Sequence, residues 1–334
     1  MAAKRIVVIG GSSGAIEAMR VIARGLPAGF PAPVCMVVHM SPESPGTLDS
    51  ILSQGAQVPC ASAVTGARLR DGHIYVAPPD HHLLVEPGAL RLSKGPRENR
   101  CRPAVDPLFR SAAQVYGAGV IGVVLTGNLD DGTAGLWTIK RLGGVTIVQD
   151  PNEALFPSMP ASALQHVPVD HVVPVQEIAP LLARLLLSPA GGETPDPAPA
   201  SLEVEMKIAA GQNAVDAGVE QIGEPSRFAC PECHGVLLRM KEGGPSRFRC
   251  HTGHAYSAGS LVAAVNNGVE EALWAAVRSL EESALLMQQL SAPGQDEPTP
   301  GHAGEYREQG LAAHRHSEMV RQVLQLREAV TPPK

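Results

Sequence analysis

A chain of 334 residues is long enough for about two domains, and a hydrophobic content of 44% allows a sizeable buried core. The formal net charge of -6, from 27 basic and 33 acidic residues, provides no global basic field for nucleic acid or an anionic membrane surface. No apolar run reaches the roughly 18 residues needed to span a bilayer. Ala2-Ala3-Lys4-Arg5 leads into a short strand rather than a signal segment, so a cytoplasmic protein without membrane insertion is expected.

From Lys4 to about Leu187, apolar runs bounded by Gly and Pro alternate with amphipathic stretches of helix length. This pattern predicts an α/β domain built on a doubly wound, mostly parallel sheet. The predicted strands are Arg5–Ile9, Val34–Val38, Ile74–Ala77, Val120–Leu125 and Val145–Val148, and the predicted helices Ala15–Arg24, Asp106–Val115 and Thr133–Arg141. Two short runs around Glu86-Pro87-Gly88, between Leu83 and Leu92, predict an antiparallel hairpin at the sheet edge.

The first strand breaks directly into Gly10-Gly11-Ser12-Ser13-Gly14 and then a helix. G-x-S-x-G in that setting exposes a serine hydroxyl on a tight turn, and the free N–H groups of the helix face charge developing on an oxyanion. Ser12 is therefore a candidate nucleophile. In an open parallel sheet functional residues collect at the carboxyl ends of the strands. His39 follows Val34–Val38 immediately, and Asp130 and Asp131 lie just past Leu125-Thr126, so a base and an acid are expected on the same rim. His81 and His82 are the runners-up as base. Cys35, Cys60 and Cys101 are scattered and read as small buried side chains. Lys94, Arg97, Arg100 and Arg102 form a basic run that suits either a solvated loop or the steering of an acidic partner.

Five ordered motifs give residues 1–187 a resemblance to the bacterial chemotaxis protein-glutamate methylesterases, whose catalytic domain is of the CheB type. They are Ile9-Gly10-Gly11-Ser12-Ser13-Gly14, Val38-His39-Met40, Tyr75-Val76-Ala77-Pro78-Pro79-Asp80-His81, Arg102-Pro103-Ala104-Val105-Asp106-Pro107-Leu108-Phe109 and Leu125-Thr126-Gly127-Asn128-Leu129-Asp130-Asp131-Gly132. The resemblance implies a catalytic set of Ser12, His39 and Asp131, with Asp130 facing solvent or capping the helix at Thr133. It also implies hydrolysis of γ-glutamyl methyl esters on chemoreceptor-like proteins, with glutamine deamidation as a second activity and no cofactor for catalysis. Oxyanion stabilisation is expected from the backbone N–H groups of Ser13 and Asn128. Ser13 stands where the family usually has Thr, Ala15 where it often has Gly, and Asn128 and Asp130 where it commonly has Met and Asn. The phosphorylatable receiver domain of well-known members is not expected ahead of Lys4.

Residues 188–225 open on a run rich in Pro and Gly and read as a linker. Next, over 226–258, Cys230-x2-Cys233-x16-Cys250-x3-His254 supplies four soft or borderline ligands in two pairs, the donor set of structural zinc. His234 and His251 are alternative fourth ligands. Short strands at Val236–Met240 and Arg247–Arg249 predict a small ribbon whose metal stabilises that module alone. A similar Cys/His region with trailing helices is familiar in stand-alone proteins of the methylesterase type. Residues 259–330 read as a helical hairpin, with Val265, Val269, Leu273, Val277, Leu280, Ala284 and Met287 on one helix and Met319, Val323 and Leu326 on the other. A signalling-protein partner is the expectation for this C-terminal region. The main alternative is a non-enzymatic docking scaffold. A short-chain dehydrogenase is disfavoured because Ile16 stands where its loop wants Gly and no Tyr has Lys four residues on.

Overall fold

The computed structural model describes residues 5–187, 198–292 and 302–330. In chain order the first part comprises β1 (Ile6–Gly11), α1 (Ala15–Gly25), β2 (Val34–Val38), α2 (Leu48–Ser53), β3 (Cys60–Ser62), β4 (Ile74–Val76), β5 (His82–Glu86), β6 (Ala89–Ser93), α3 (Val105–Tyr116), β7 (Val120–Val124), α4 (Thr133–Arg141), β8 (Val145–Gln149), α5 (Ser158–His166), β9 (His171–Val173) and α6 (Val175–Leu187). Seven strands form one sheet in the order β3-β4-β2-β1-β7-β8-β9, every pairing parallel. The chain winds outward from β1 in one direction and returns to add β7 on its other side. The carboxyl ends of β1, β2 and β7 thus meet at the switch point.

Side chains alternate across a strand, so each central strand feeds two cores. Ile6 and Val8 of β1 point with Cys35, Val37 and Val124 toward α3, α4 and α5. Val7 and Ile9 point with Met36, Val38, Ile121 and Val123 toward α1, α2 and α6. The hairpin β5–β6 pairs only with itself rather than extending the main sheet. Its apolar face covers α3, where Ser111 Oγ accepts from the Val85 N–H at 3.0 Å. The expected strands and helices are otherwise present to within two residues. The short strands β3 and β9, three residues each and only partly buried, carry too little pattern to be read from sequence.

Of the predicted linker, residues 188–197 lie outside the described residues. From Ala200 the chain is helical: α7 (Ala200–Ala209), α8 (Ala214–Ala217) and α9 (Val219–Ile222). Leu202, Met206 and Ala209 join the core over α3, which is why this stretch folds onto the domain instead of spanning a gap. The Pro-rich composition behind the linker reading ends where α7 begins.

A four-stranded antiparallel ribbon follows, β10 (Gly223–Ala229), β11 (Val236–Met240), β12 (Arg247–Cys250) and β13 (Ala255–Ser257). It was expected to stand apart. Instead it belongs to the same compact unit as the main sheet, residues 1–261, through a buried ion cluster. The Arg249 guanidinium donates to Glu98 at 2.9 Å and to Glu205 at 3.1 Å, and Arg110 pairs with Glu98. All four side chains are 1–2% exposed. Burial works to raise the Glu98 pKa, but Arg110 and Arg249 outweigh it and hold the carboxyl below its ordinary value.

The second unit, Val262–Lys334, is a helical hairpin of α10 (Ala258–Ser291, entering from the first unit) and α11 (Ala303–Val330). On α10 Val277 is buried as expected, whereas Val265 and Val269 are exposed. On α11 the expected stripe is also exposed, and Ala313, Ser317 and Leu324 are buried instead. Small side chains there permit close helix approach, and Arg321 pairs with Glu281 while stacking over Trp274 at 5.7 Å.

Arg249→Ala would strand two buried carboxylates with too little positive charge, so a loss of about 3–5 kcal/mol is expected. It should be seen as a lower urea midpoint for the unit carrying both sheets.

Candidate active site

Each candidate side chain is presented by the carboxyl end of a central strand. Ser12 follows β1, and the turn is closed by Ser12 N–H to Thr126 O and Ala15 N–H to Ser12 O, both 3.0 Å. Gly14 precedes α1 at φ 77°, a left-handed conformation that a side chain would strain. His39 follows β2, and Asp131 lies in the loop between β7 and α4.

The structure brings the three side chains into one chain of hydrogen bonds. His39 Nδ1 lies 3.1 Å from Ser12 Oγ, and His39 Nε2 lies 2.7 Å from Asp131 Oδ2. A proton on Nε2 is donated to Asp131, which leaves Nδ1 free to accept from the serine hydroxyl. Asp131 is 2% exposed. Besides His39 it accepts from the Val105 N–H at 2.7 Å, Asn99 Nδ2 at 2.8 Å, the Gly132 N–H at 2.9 Å and the Asp106 N–H at 3.2 Å. Burial works to raise its pKa, but His39 and these other donors overcome it and hold the carboxyl well below the usual carboxylate range. Asp106, buried beside that charge, is pushed up to about 7, by desolvation first and then by Asp131. For His39, burial opposes the imidazolium, and the neighbouring Cys101 and Asp131 outweigh it, so its pKa lies above the ordinary imidazole value.

The loop Gly127-Asn128 lies against the serine turn. A Cβ at Gly127 would sit 2.8 Å from Ser12 Cβ, so only glycine permits the approach, and Asn128 Nδ2 donates to Ser13 Oγ at 3.1 Å. Among the described residues neither the Ser13 nor the Asn128 N–H donates to a backbone carbonyl. Both stand beside Ser12.

Asp130, expected to face solvent, accepts instead from Ser257 Oγ of the ribbon. The helix α4 is preceded by Gly132 and receives no side-chain cap. The alternative histidines are otherwise engaged: His81 Nδ1 meets Pro79 O, and fully buried His82 meets Pro96 O through Nε2 while Nδ1 accepts from the Ala104 N–H. In the basic run, Arg102 and Lys94 both pair with Asp80, which removes much of the field expected there. Asn99 and Asp106 were not singled out from the sequence. Their signals are long-range: each acts on a loop far along the chain, and only Asn99's left-handed φ of 51°, a conformation Asn tolerates, is a local trace.

Cys230, Cys233, Cys250 and His254 converge, with ligand atoms all within 4.8 Å of one another. Cys233 Sγ and Cys250 Sγ are 3.6 Å apart, and His254 Nδ1 is 3.7 Å from the sulfurs of Cys230 and Cys250. A tetrahedral site with metal–sulfur bonds of about 2.3 Å has edges of roughly 3.7 Å, so the four could hold a metal ion. The other nitrogen of His254 faces Glu232 at 3.5 Å, an outer partner suited to orient a ligating imidazole. Neither His234 nor His251 joins the cluster.

The family model for CheB methylesterase matches residues 7–182, more than half of the chain. The chain belongs to the CheB methylesterase family. A Leptospira interrogans protein is 41% identical over 180 residues, 54% of this chain and 93% of the relative. A protein-glutamate methylesterase/protein-glutamine glutaminase of Anaeromyxobacter dehalogenans is 40% identical over 180 residues, 53% of its own length. The crystal structure of the Thermotoga maritima CheB methylesterase catalytic domain superposes with a TM-score of 0.53 at 34% identity, covering 55% of this chain and 98% of that one. The CheB match therefore spans the main sheet and stops short of the ribbon.

An imidazolium cannot accept the serine proton, so hydrolysis should rise as pH passes upward through the His39 pKa. The acid limb of kcat/KM is expected above the ~6.5 of an isolated imidazole. Asp131→Asn should move that limb down and lower kcat by up to ~10⁴, the loss seen in the Ser-His-Asp template. Asp130→Asn should cost far less. Equal losses at the two positions, measured side by side, would put the acid at the wrong residue.

Proposed function

We infer that the chain is a serine hydrolase that cleaves γ-glutamyl methyl esters on a chemoreceptor-like protein, with deamidation of glutamines by the same route. The observation that carries this reading is the continuous relay from Ser12 Oγ through both nitrogens of His39 to the buried Asp131 carboxylate. Membership of the CheB methylesterase family supplies the ester class.

The geometry supports the following course. Ser12 Oγ attacks the ester carbonyl as its proton passes to His39 Nδ1. The imidazolium is stabilised by Asp131, and the tetrahedral oxyanion falls to the N–H groups of Ser13 and Asn128 and the positive end of α1. Collapse breaks the C–O bond, and His39 returns the proton to the departing methoxide, releasing methanol. Water then attacks the acyl-enzyme, giving its proton to His39, and collapse expels Ser12 Oγ, which takes that proton back from His39, regenerating Ser12 and leaving glutamate. With a glutamine substrate the first leaving group is ammonia. No step calls for a metal.

The Cys230, Cys233, Cys250 and His254 cluster fits structural zinc in donor type and spacing, which when bound would staple the ends of the ribbon. Among the described residues no helix is long and apolar enough to cross a membrane. A cytoplasmic enzyme acting on the cytoplasmic part of a receptor, with a signalling partner for the C-terminal helices, is the reading we favour over a pure scaffold, because every member of the relay is present.

Methanol release from methylated receptor membranes tests the assignment. Ser12→Ala should fold normally and lose nearly all turnover, keeping at most the ~10³–10⁴ over water that binding and the oxyanion donors supply. Wild-type turnover in that variant would end the hydrolase reading. Metal analysis of the full chain should find about one zinc per chain, reduced in Cys233→Ser.

A further inference from the structure

The ribbon is joined to the catalytic loop by more than packing. The segment before α3 runs beside β13: Glu98 bridges to Ala255, the Asn99 N–H donates to Ala255 O at 2.8 Å, and the Ala255 N–H donates to Arg97 O at 3.2 Å. Asn99 sits at the centre of this junction, 6% exposed. Its Oδ1 accepts from the Ser257 N–H at 2.8 Å and from Ser260 Oγ at 3.0 Å. Its Nδ2 donates to Asp131 Oδ1 at 2.8 Å and to Asp106 Oδ2 at 3.1 Å. Two donors and two acceptors exhaust the hydrogen-bonding capacity of a carboxamide, so its plane cannot turn without stranding a buried group. One face of that plane is set by the ribbon exit, the other by the acid of the relay.

We propose that Asn99 is a positioning residue for the catalytic acid, clamped by Ser257 and Ser260, so that the C-terminal ribbon completes the hydrolytic centre. This rests on the reading of Ser12, His39 and Asp131 as the catalytic set. Asn99 has two tasks that a purely structural amide would not have. It shares its amino group between Asp131 and Asp106, keeping two neighbouring carboxylates apart in orientation. It also fixes Asp131 Oδ1, which leaves Oδ2 aimed at His39 Nε2. The clamp runs further through Ser257 Oγ, which donates to Asp130 and accepts from the Ser260 N–H, so the loop carrying both acids is held from the ribbon side.

The test uses full-length protein and methanol release from a γ-methyl glutamyl peptide. Asn99→Asp keeps the acceptor toward Ser257 and Ser260 and suits the left-handed backbone, but turns the donor side into a third negative group. It should lower kcat about 10- to 100-fold, the scale of an ångström-sized misplacement, with KM little changed. It should also move the acid limb of kcat/KM to higher pH, because added negative charge favours imidazolium at His39. Ser260→Ala removes one hydroxyl, 161 residues from Asn99, and should give a smaller fall in kcat, again without a KM change. It decides the matter if Asn99→Asp fails to fold. Wild-type kcat and pH profile in both folded variants, or a change confined to KM, would overturn the proposal. Ser12→Ala assayed alongside keeps the two readings apart: if it is inactive while the Asn99 and Ser260 variants are normal, the positioning role alone is wrong, and if it is active the catalytic set is.

Discussion

A carboxylate taken out of water is tolerated only where donors replace its hydration shell. Asp131 is such a group, and much of the architecture follows from supplying it. Its donors come from the end of β2, the first turn of α3, the loop before α3 and its own loop. The amides at the start of a helix have no partner within the helix, so the Val105 and Asp106 N–H groups are available and carry the favourable end of the dipole. Aiming them at Asp131 sets where α3 begins relative to β7. It also forces Asp106, one residue into the helix, to lie against the same charge and to share Asn99 with it.

The second group of buried charges has a different effect. Glu98, Arg110, Glu205 and Arg249 come from the loop before α3, from α3, from α7 and from β12. Such clusters add little net stability over an apolar equivalent, since desolvation offsets most of the attraction. What they add is selectivity of docking. An apolar patch lets a ribbon slide or rotate, whereas a guanidinium that must meet two carboxylates admits one placement. That placement brings Ser257 onto Asn99.

The fold of the first domain was legible because its cues are local. Gly10-Gly11-Ser12-Ser13-Gly14 marks a strand, a turn and a helix within a few residues, and His39 follows an unbroken buried strand. The preference for Asp131 over Asp130 rests on the family resemblance, and Asp131 is the one whose Oδ2 lies 2.7 Å from His39 Nε2. The parts that were not legible are those decided at long range. Nothing around Glu205 announces that it will be buried between arginines, so a stretch that follows Pro-rich sequence reads as linker although α7 is part of the core. Asn99 sits in a run of charged residues and reads as loop. On α11 the apolar periodicity of Met319, Val323 and Leu326 suggested the wrong face, because close approach favours Ala313 and Ser317 over bulk. The cluster of Cys230, Cys233, Cys250 and His254 was legible, since its spacing is a local code, but its attachment to the main sheet was not.

Ribosomes deliver chains from the amino end, and domains generally fold as they emerge. Ser12, His39 and Asp131 all leave the ribosome before the residue that clamps Asn99, which comes 158 positions after it. A nascent chain with its main sheet already formed would carry the serine turn, the histidine and the acid with its Val105, Asp106 and Gly132 donors, but an Asn99 not yet clamped. Full hydrolytic rate would then arrive with the ribbon, late in translation, so that a prematurely terminated product would be folded in large part and yet slower toward the cell's esters.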